Sequence, residues 1–159
     1  LVNPDVVRDK DGISAAVDMV SLASELKSSG KTMADHLDDF ADKFGAFASG
    51  QISVRVSDLA EIPRMMAALR SSPPATVGSF AVSSIDDFID GFGEFPPGDI
   101  LRIHFENGAR VIVRPSGTEP KLKAYLDASS TDGDAATRQS NAAAIVAELD
   151  AGVRALLGL

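Results

Sequence analysis

The sequence predicts an α+β fold, a sheet with helices on one face. Three observations carry that expectation. Apolar residues recur at helical spacing up to about Phe47, and beyond Ser49-Gly50 they alternate with polar residues in short runs. Asn107-Gly108 joins two alternating runs, and this pair is the strongest short hairpin signal. The chain closes on a long helical pattern from Ala135 to Leu157. Strands with one polar side imply an antiparallel sheet that packs helices against the other.

Taken in order, Ile13–Ser28 reads as a helix. Ile13, Val17, Val20 and Ala23 share a face, Asp11-Gly12 starts it and Gly30 lies just past its end. Met33–Phe47 reads as a second helix, opened by a capping box of Thr32 and Asp35. Its stripe of Met33, Leu37, Phe40, Phe44 and Phe47 is expected in a core or against another helix. Ser49-Gly50 breaks the pattern, so a domain boundary is expected there, dividing residues 1–48 from residues 49–159. Gln51–Val56 alternates as a strand, and Asp58–Arg70 follows as a helix through Leu59, Ile62, Met65, Met66 and Leu69. Phe80–Ile89 reads as a strand running into an acidic turn, and Ile100–Glu106 with Ala109–Val113 as the hairpin. Lys121–Ala128 is the last strand. The final helix turns Ala142, Ile145, Val146, Leu149, Val153 and Leu156 inward.

Composition narrows the class. With 45% hydrophobic residues in 159, the chain supports a real core and fits one domain, or one domain and a piece of another. No apolar run approaches the roughly 20 residues of a membrane span, and no leader pattern opens the chain. The absence of cysteine excludes disulfides and thiolate metal sites and fits a cytoplasmic protein. A net charge of −8 argues against a nucleic-acid partner. The opening Leu1-Val2-Asn3-Pro4-Asp5, without a start methionine, suggests a piece of a longer chain.

Against that acidic background, one short stretch is basic. Arg110, Arg114, Lys121 and Lys123 face a single acid, Glu119, between Ala109 and Tyr125. Within it, Arg114-Pro115-Ser116-Gly117-Thr118-Glu119-Pro120 joins two strands. Arg114 precedes a proline and is therefore extended, presenting a planar fork to phosphate oxygens. Ser116 and Thr118 offer hydroxyls. Gly117 allows positive φ and close approach of the backbone to a ligand. Successive N–H groups of such a turn make an anion-binding concavity. Lys123, on one strand face with Lys121, adds charge. The spacing is not that of a Walker loop.

Other polar clusters have plainer readings. Asp9-Lys10-Asp11-Gly12 lacks the ligands of a calcium loop and reads as a helix start. Asp132-Gly133-Asp134 reads as an N-cap. His36 and His104 have no nucleophile at a recognisable spacing, and His104 is expected on the polar face of its strand. Asp86, Asp87, Asp90 and Glu94 read as solvated acidic surface.

The heptapeptide from Arg114 to Pro120, followed by Lys121-Leu122-Lys123, resembles the phosphate-binding loop in the last domain of the phosphohexomutases, the phosphoglucomutase/phosphomannomutase superfamily. Val7-Arg8-Asp9-Lys10-Asp11-Gly12-Ile13-Ser14-Ala15-Ala16 is similar to the Lys-Asp-Gly stretch opening the last helices of their third domain. The resemblance implies that residues 1–48 are the helical end of the third mutase domain. Residues 49–159 would then be the fourth, with a fold like the TATA-box-binding protein and no DNA binding. It implies Arg114, Ser116, Gly117, Thr118 and Lys123 as ligands of a substrate phosphate. It implies an intact enzyme that uses Mg2+ and a hexose 1,6-bisphosphate intermediate on glucose or mannose phosphate. The phosphoserine, metal and sugar-reading loops of such enzymes have no counterpart in this sequence. No catalytic or metal-ligating residue is therefore assigned here, and the isolated chain is expected to be inactive. The alternative is a stand-alone phosphoester-binding or interaction module.

Overall fold

The computed structural model describes residues 3–159. Its elements run α1 (Gly12–Ser28), α2 (Met33–Phe44), β1 (Ala46–Arg55), α3 (Glu61–Ser71), β2 (Thr76–Val77), β3 (Phe80–Asp87), β4 (Leu101–Phe105), β5 (Arg110–Pro115), β6 (Lys121–Ser130) and α4 (Ala135–Leu156). The strands form one antiparallel sheet in the order β1-β6-β5-β4-β3-β2. The class is α+β, as expected.

One face of the sheet is the core. Ile52, Ile103, Val111, Val113, Leu122, Ala124 and Leu126 are almost wholly buried there, with Ile62, Met66 and Leu69 of α3 and Leu149 and Val153 of α4 in the same cluster. The strict alternation of β4, β5 and β6 produces this. Each second residue enters the core, and the residues between line the opposite, uncovered face. Close approach of α4 is made possible by Gly152. A Cβ there would lie 2.5 Å from the Gly78 nitrogen and 2.9 Å from Val77 Cγ1.

The capping expectations hold. The Thr32 side chain accepts from the Asp35 N–H while the Asp35 carboxylate accepts from the Thr32 N–H. Asp11 caps α1 through the Ser14 N–H, and Asp134 caps α4 through the Thr137 N–H.

Four details differ from the sequence reading. The second helix ends at Phe44 rather than Phe47, because Gly45 takes φ +90° and reverses the chain. Phe47, Ser49 and Gly50 belong to β1, which pairs with β6 from Ala46↔Ser130 to Arg55↔Lys121. The expected apolar stripe is largely open: Met33 is half-buried and Phe40 packs on Phe44, but Leu37, Phe40 and Phe44 of α2 are exposed, and so is Phe47 in β1, to 69%. The same holds for Ile13, Val17 and Val20 of α1. Helix α3 begins at Glu61, not Asp58. Asp58 instead accepts from the Ala60 N–H in the preceding turn, and Pro63 occupies the first helical turn, where a missing N–H is harmless.

What ties α2 to the sheet-bearing part is polar. Arg138 of α4 donates to the carbonyls of Ala41 and Asp42 at 2.8 and 2.7 Å, and Gln139 donates to Asp38. Beneath these bonds lies a small cluster of Ala41, Ala46 and Ala135.

Candidate functional site

The site is built at the end of the sheet where β5 gives way to β6. Arg114 stands directly across from Lys123, and Lys123 in turn across from Ser53 of β1. All three lie on the face away from the core, since their strand neighbours Val113, Leu122 and Ala124 are buried. One step nearer the strand ends, Lys121 stands across from Arg55. Four cations from three neighbouring strands thus share one end of the uncovered face.

Glu119 divides them into two sets. Its carboxylate accepts from Lys121 Nζ at 2.7 Å and from Arg55 Nη2 at 3.3 Å. The hydrogen bond from Lys121, aided by the charges of Lys121, Arg55 and Lys123, holds the Glu119 carboxyl below the usual carboxylate range despite some desolvation. Lys121 and Arg55 therefore share one carboxylate partner, the closer contact being that of Lys121. Among the described residues, Arg114 and Lys123 enter no ion pair. Arg114 is exposed, and its Nε donates at 3.3 Å to the Pro115 carbonyl, which leaves the terminal guanidinium nitrogens unengaged.

The loop has a firm base and an open tip. The Ser116 N–H donates to the Lys121 carbonyl at 2.8 Å, the Lys121 N–H to the Glu119 carbonyl at 2.7 Å, and the Val56 N–H to the Pro120 carbonyl at 3.0 Å. Gly117 and Thr118 project into solvent. The φ of Gly117 lies outside the left-handed region, contrary to the sequence reading, and a Cβ there would meet nothing within 4 Å. The fold itself does not require glycine at this position.

All five expected residues come to this one locus: Arg114, Ser116, Gly117, Thr118 and Lys123. Sequence reasoning missed Arg55 and Ser53, which depend on the register of β1 against β6, and the pairing of Glu119 with Lys121, which depends on how the loop turns its carboxylate. It also missed a cleft of about 500 Å³ that begins at Arg114. The cleft is floored by Ile112, Tyr125 and Arg102 of the uncovered face and walled by Phe88, Phe95, Pro96 and Pro97.

The uncovered face is polar beyond the cleft. Arg102 and His104 both reach Asp86 Oδ2 at 2.8 Å. Burial works to raise the Asp86 pKa, but the hydrogen bonds from His104 and Arg102 outweigh it and leave the carboxyl below its ordinary range. His104 is thus engaged by a carboxylate on the polar face, and Asp86 is a paired acid rather than the solvated one expected from sequence. Asp87 points to the other side, where Arg70 of α3 bridges it to Asp99. Among the described residues, no three His, Cys, Asp or Glu side chains converge as a metal cage. None of their helices is long and apolar enough to cross a membrane.

Comparison with known proteins gives a consistent picture. A family profile described as "Phosphoglucomutase/phosphomannomutase, C-terminal domain" matches residues 52–145. A probable phosphomannomutase of Haemophilus influenzae is 52% identical over 157 residues, covering 99% of this chain and 30% of that protein. A phosphoglucomutase of Staphylococcus aureus is 31% identical over 150 residues, covering 86% of this chain and 27% of that one. The chain therefore spans less than a third of these relatives. The Paramecium parafusin, a phosphoglucomutase in its open form, superposes with a TM-score of 0.60 at 20% identity, over 96% of this chain and 29% of its own, a likeness of fold.

Proposed function

This chain belongs to the phosphoglucomutase/phosphomannomutase family through its C-terminal domain, and from that premise we propose that its Arg114–Pro120 loop holds the non-transferring phosphate of a hexose phosphate within a larger phosphohexomutase. The observation that carries the reading is the pair of Arg114 and Lys123, opposite one another on the uncovered face with no carboxylate partner among the described residues, beside two cations that share the carboxylate of Glu119. Free cations beside hydroxyls and a turn rich in N–H groups suit a dianion.

The roles divide by chemistry. Arg114 offers two terminal nitrogens as a fork. Ser116 and Thr118 donate hydroxyl hydrogen bonds, and Gly117 lets a phosphate oxygen approach the backbone. Lys123 supplies a second positive charge from below. These donors fix one phosphate while the sugar's other end meets groups of the remaining domains, so the loop's contribution is position and charge stabilisation, not bond making. The parent protein would be an isomerase acting on glucose or mannose phosphate in the cytoplasm, and the isolated chain would be inactive. Mg2+ and the bisphosphate intermediate belong to the parent. The residues described here do not fit a metal, and no step is assigned through it.

In the same reading, α1 and α2 are the end of the preceding domain, with Gly45 at the junction. Their exposed apolar faces support it, being the side that the rest of that domain would cover.

The test is phosphosugar titration of the full-length parent at fixed ionic strength. Arg114→Ala should weaken binding by about 1.5–3 kcal/mol, the range for a hydrogen bond to a charged group. Arg114→Lys should recover part of it, and Ser116→Ala and Thr118→Ala should each cost less. Equal affinity of Arg114→Ala and the parent would remove the loop as the anchor.

A further inference from the structure

The cleft beside Arg114 has the wrong lining for a sugar. Its walls are aromatic and proline side chains, and apart from the terminal nitrogens of Arg114 and the Tyr125 hydroxyl its nearby polar groups are already engaged. The Arg102 guanidinium is paired with Asp86 and stacks over Phe88 and Phe92 at 5.1 and 5.3 Å. The N–H groups of Phe88, Gly98 and Ile100 donate to Ile100, Phe88 and Gly98 carbonyls. With Arg114 taken up by the phosphate, a polyhydroxyl ring placed here would strip water from several hydroxyls and find only the Tyr125 hydroxyl in exchange. A flat apolar ring would lose nothing and would stack.

The cleft is also preformed. The Phe88 and Phe92 rings lie 5.1 Å apart, Phe95 meets Phe88 edge-on at 5.9 Å, and Phe92 and Phe95 exchange backbone hydrogen bonds. Opposite them, Ile112 and Tyr125 are register partners on strands paired along both edges. A volume of about 500 Å³ falls in the range of small-ligand pockets. Arg114 belongs to this lining and to the phosphate loop at once.

We propose that this cleft is a binding site for phosphate or phosphonate esters that carry a planar aromatic group, nucleotides being the natural class. The phosphoryl group sits at Arg114 and the ring lies between Phe95 and the Ile112–Tyr125 floor. Such a ligand occupies the phosphosugar's anchor and so competes with it. The inference rests on the loop being the phosphate anchor.

Phenylphosphonate and methylphosphonate separate the two ideas, since both carry the same charged group and only one has a ring. Each is titrated into the full-length parent, isotope-labelled at its Ile methyls, by NMR. The expected result is roughly tenfold tighter binding of phenylphosphonate, from burial of the ring, with intermolecular NOEs from the ring to the Ile112 methyls. Phe95→Ala, at an exposed position, should erase the preference while leaving methylphosphonate binding as it was. Arg114→Ala should weaken both. Equal affinities, or ring NOEs elsewhere, with Arg114→Ala still weakening both, overturn the cleft and leave the anchor standing. No binding of either probe, or binding indifferent to Arg114→Ala, overturns both.

Discussion

Gly117→Ala separates ligand from fold at a single methyl group. A Cβ at Gly117 meets nothing within 4 Å, and the backbone there does not need the left-handed region. Alanine should therefore cost the folded state nothing. It should instead stabilise the protein slightly, by about 0.4–1 kcal/mol, because it restricts the unfolded chain. Binding should move the other way. If a phosphate oxygen rests against the 117 backbone, the new methyl holds it off and removes about one charge-assisted hydrogen bond, some 1.5–3 kcal/mol. That is roughly a tenfold to hundredfold rise in Kd. The assay is paired: urea denaturation for stability and phosphosugar titration of the full-length parent for affinity. A variant of unchanged or higher urea midpoint with an unchanged Kd would mean that no anion approaches Gly117, and the close-approach argument would fall.

Gly152→Ala should behave in the opposite sense. Its Cβ would press on the Gly78 backbone nitrogen at 2.5 Å, and overpacking of about 1–3 kcal/mol should exceed the roughly 1 kcal/mol of helix propensity that alanine returns, lowering the urea midpoint. A midpoint at or above that of the parent would show that α4 and β2 yield freely. The Asp87 carboxyl is held below its ordinary range chiefly by the hydrogen bond from Arg70. A depressed folded-state pKa contributes stability above the unfolded value of about 3.9 and loses it as pH falls through the folded one. Urea midpoints from pH 6 downward should thus decline less steeply in Asp87→Asn than in the parent, and parallel profiles would count against the Arg70 bridge.

The elements most legible in the sequence were those with strong local chemistry. Capping residues Thr32, Asp11 and Asp134 announced their helices, and Asn107-Gly108 fixed the β4–β5 hairpin. The candidate phosphate residues are contiguous, so their convergence needed little tertiary information. The misses have a common cause. Ala46–Gly50 is short of large apolar residues, and only its pairing with β6 makes it a strand. The stripe of Leu37, Phe40 and Phe44 gave the correct helix but no sign of what would cover it, since amphipathicity names a face and not a partner. Lys121 and Lys123 look equivalent in sequence. Only the fold of the loop, which turns the Glu119 carboxylate onto Lys121, leaves one paired and the other without a carboxylate among the described residues.

The strand order carries a dynamic consequence. Arg114 and Lys123 ride on β5 and β6, each hydrogen-bonded along both sides, whereas β1 closes the sheet with one side unpaired. Amides in the middle of β5 and β6 should exchange with solvent only through deep opening events, while the outward amides of β1 exchange through shallow ones. Lys123, paired on both sides, is thus mounted on slow-exchanging backbone, and Arg114 follows directly on the last β5 residue paired with β4, so the freedom to adjust grows toward the loop tip. Little ordering entropy then remains to be lost when an anion arrives.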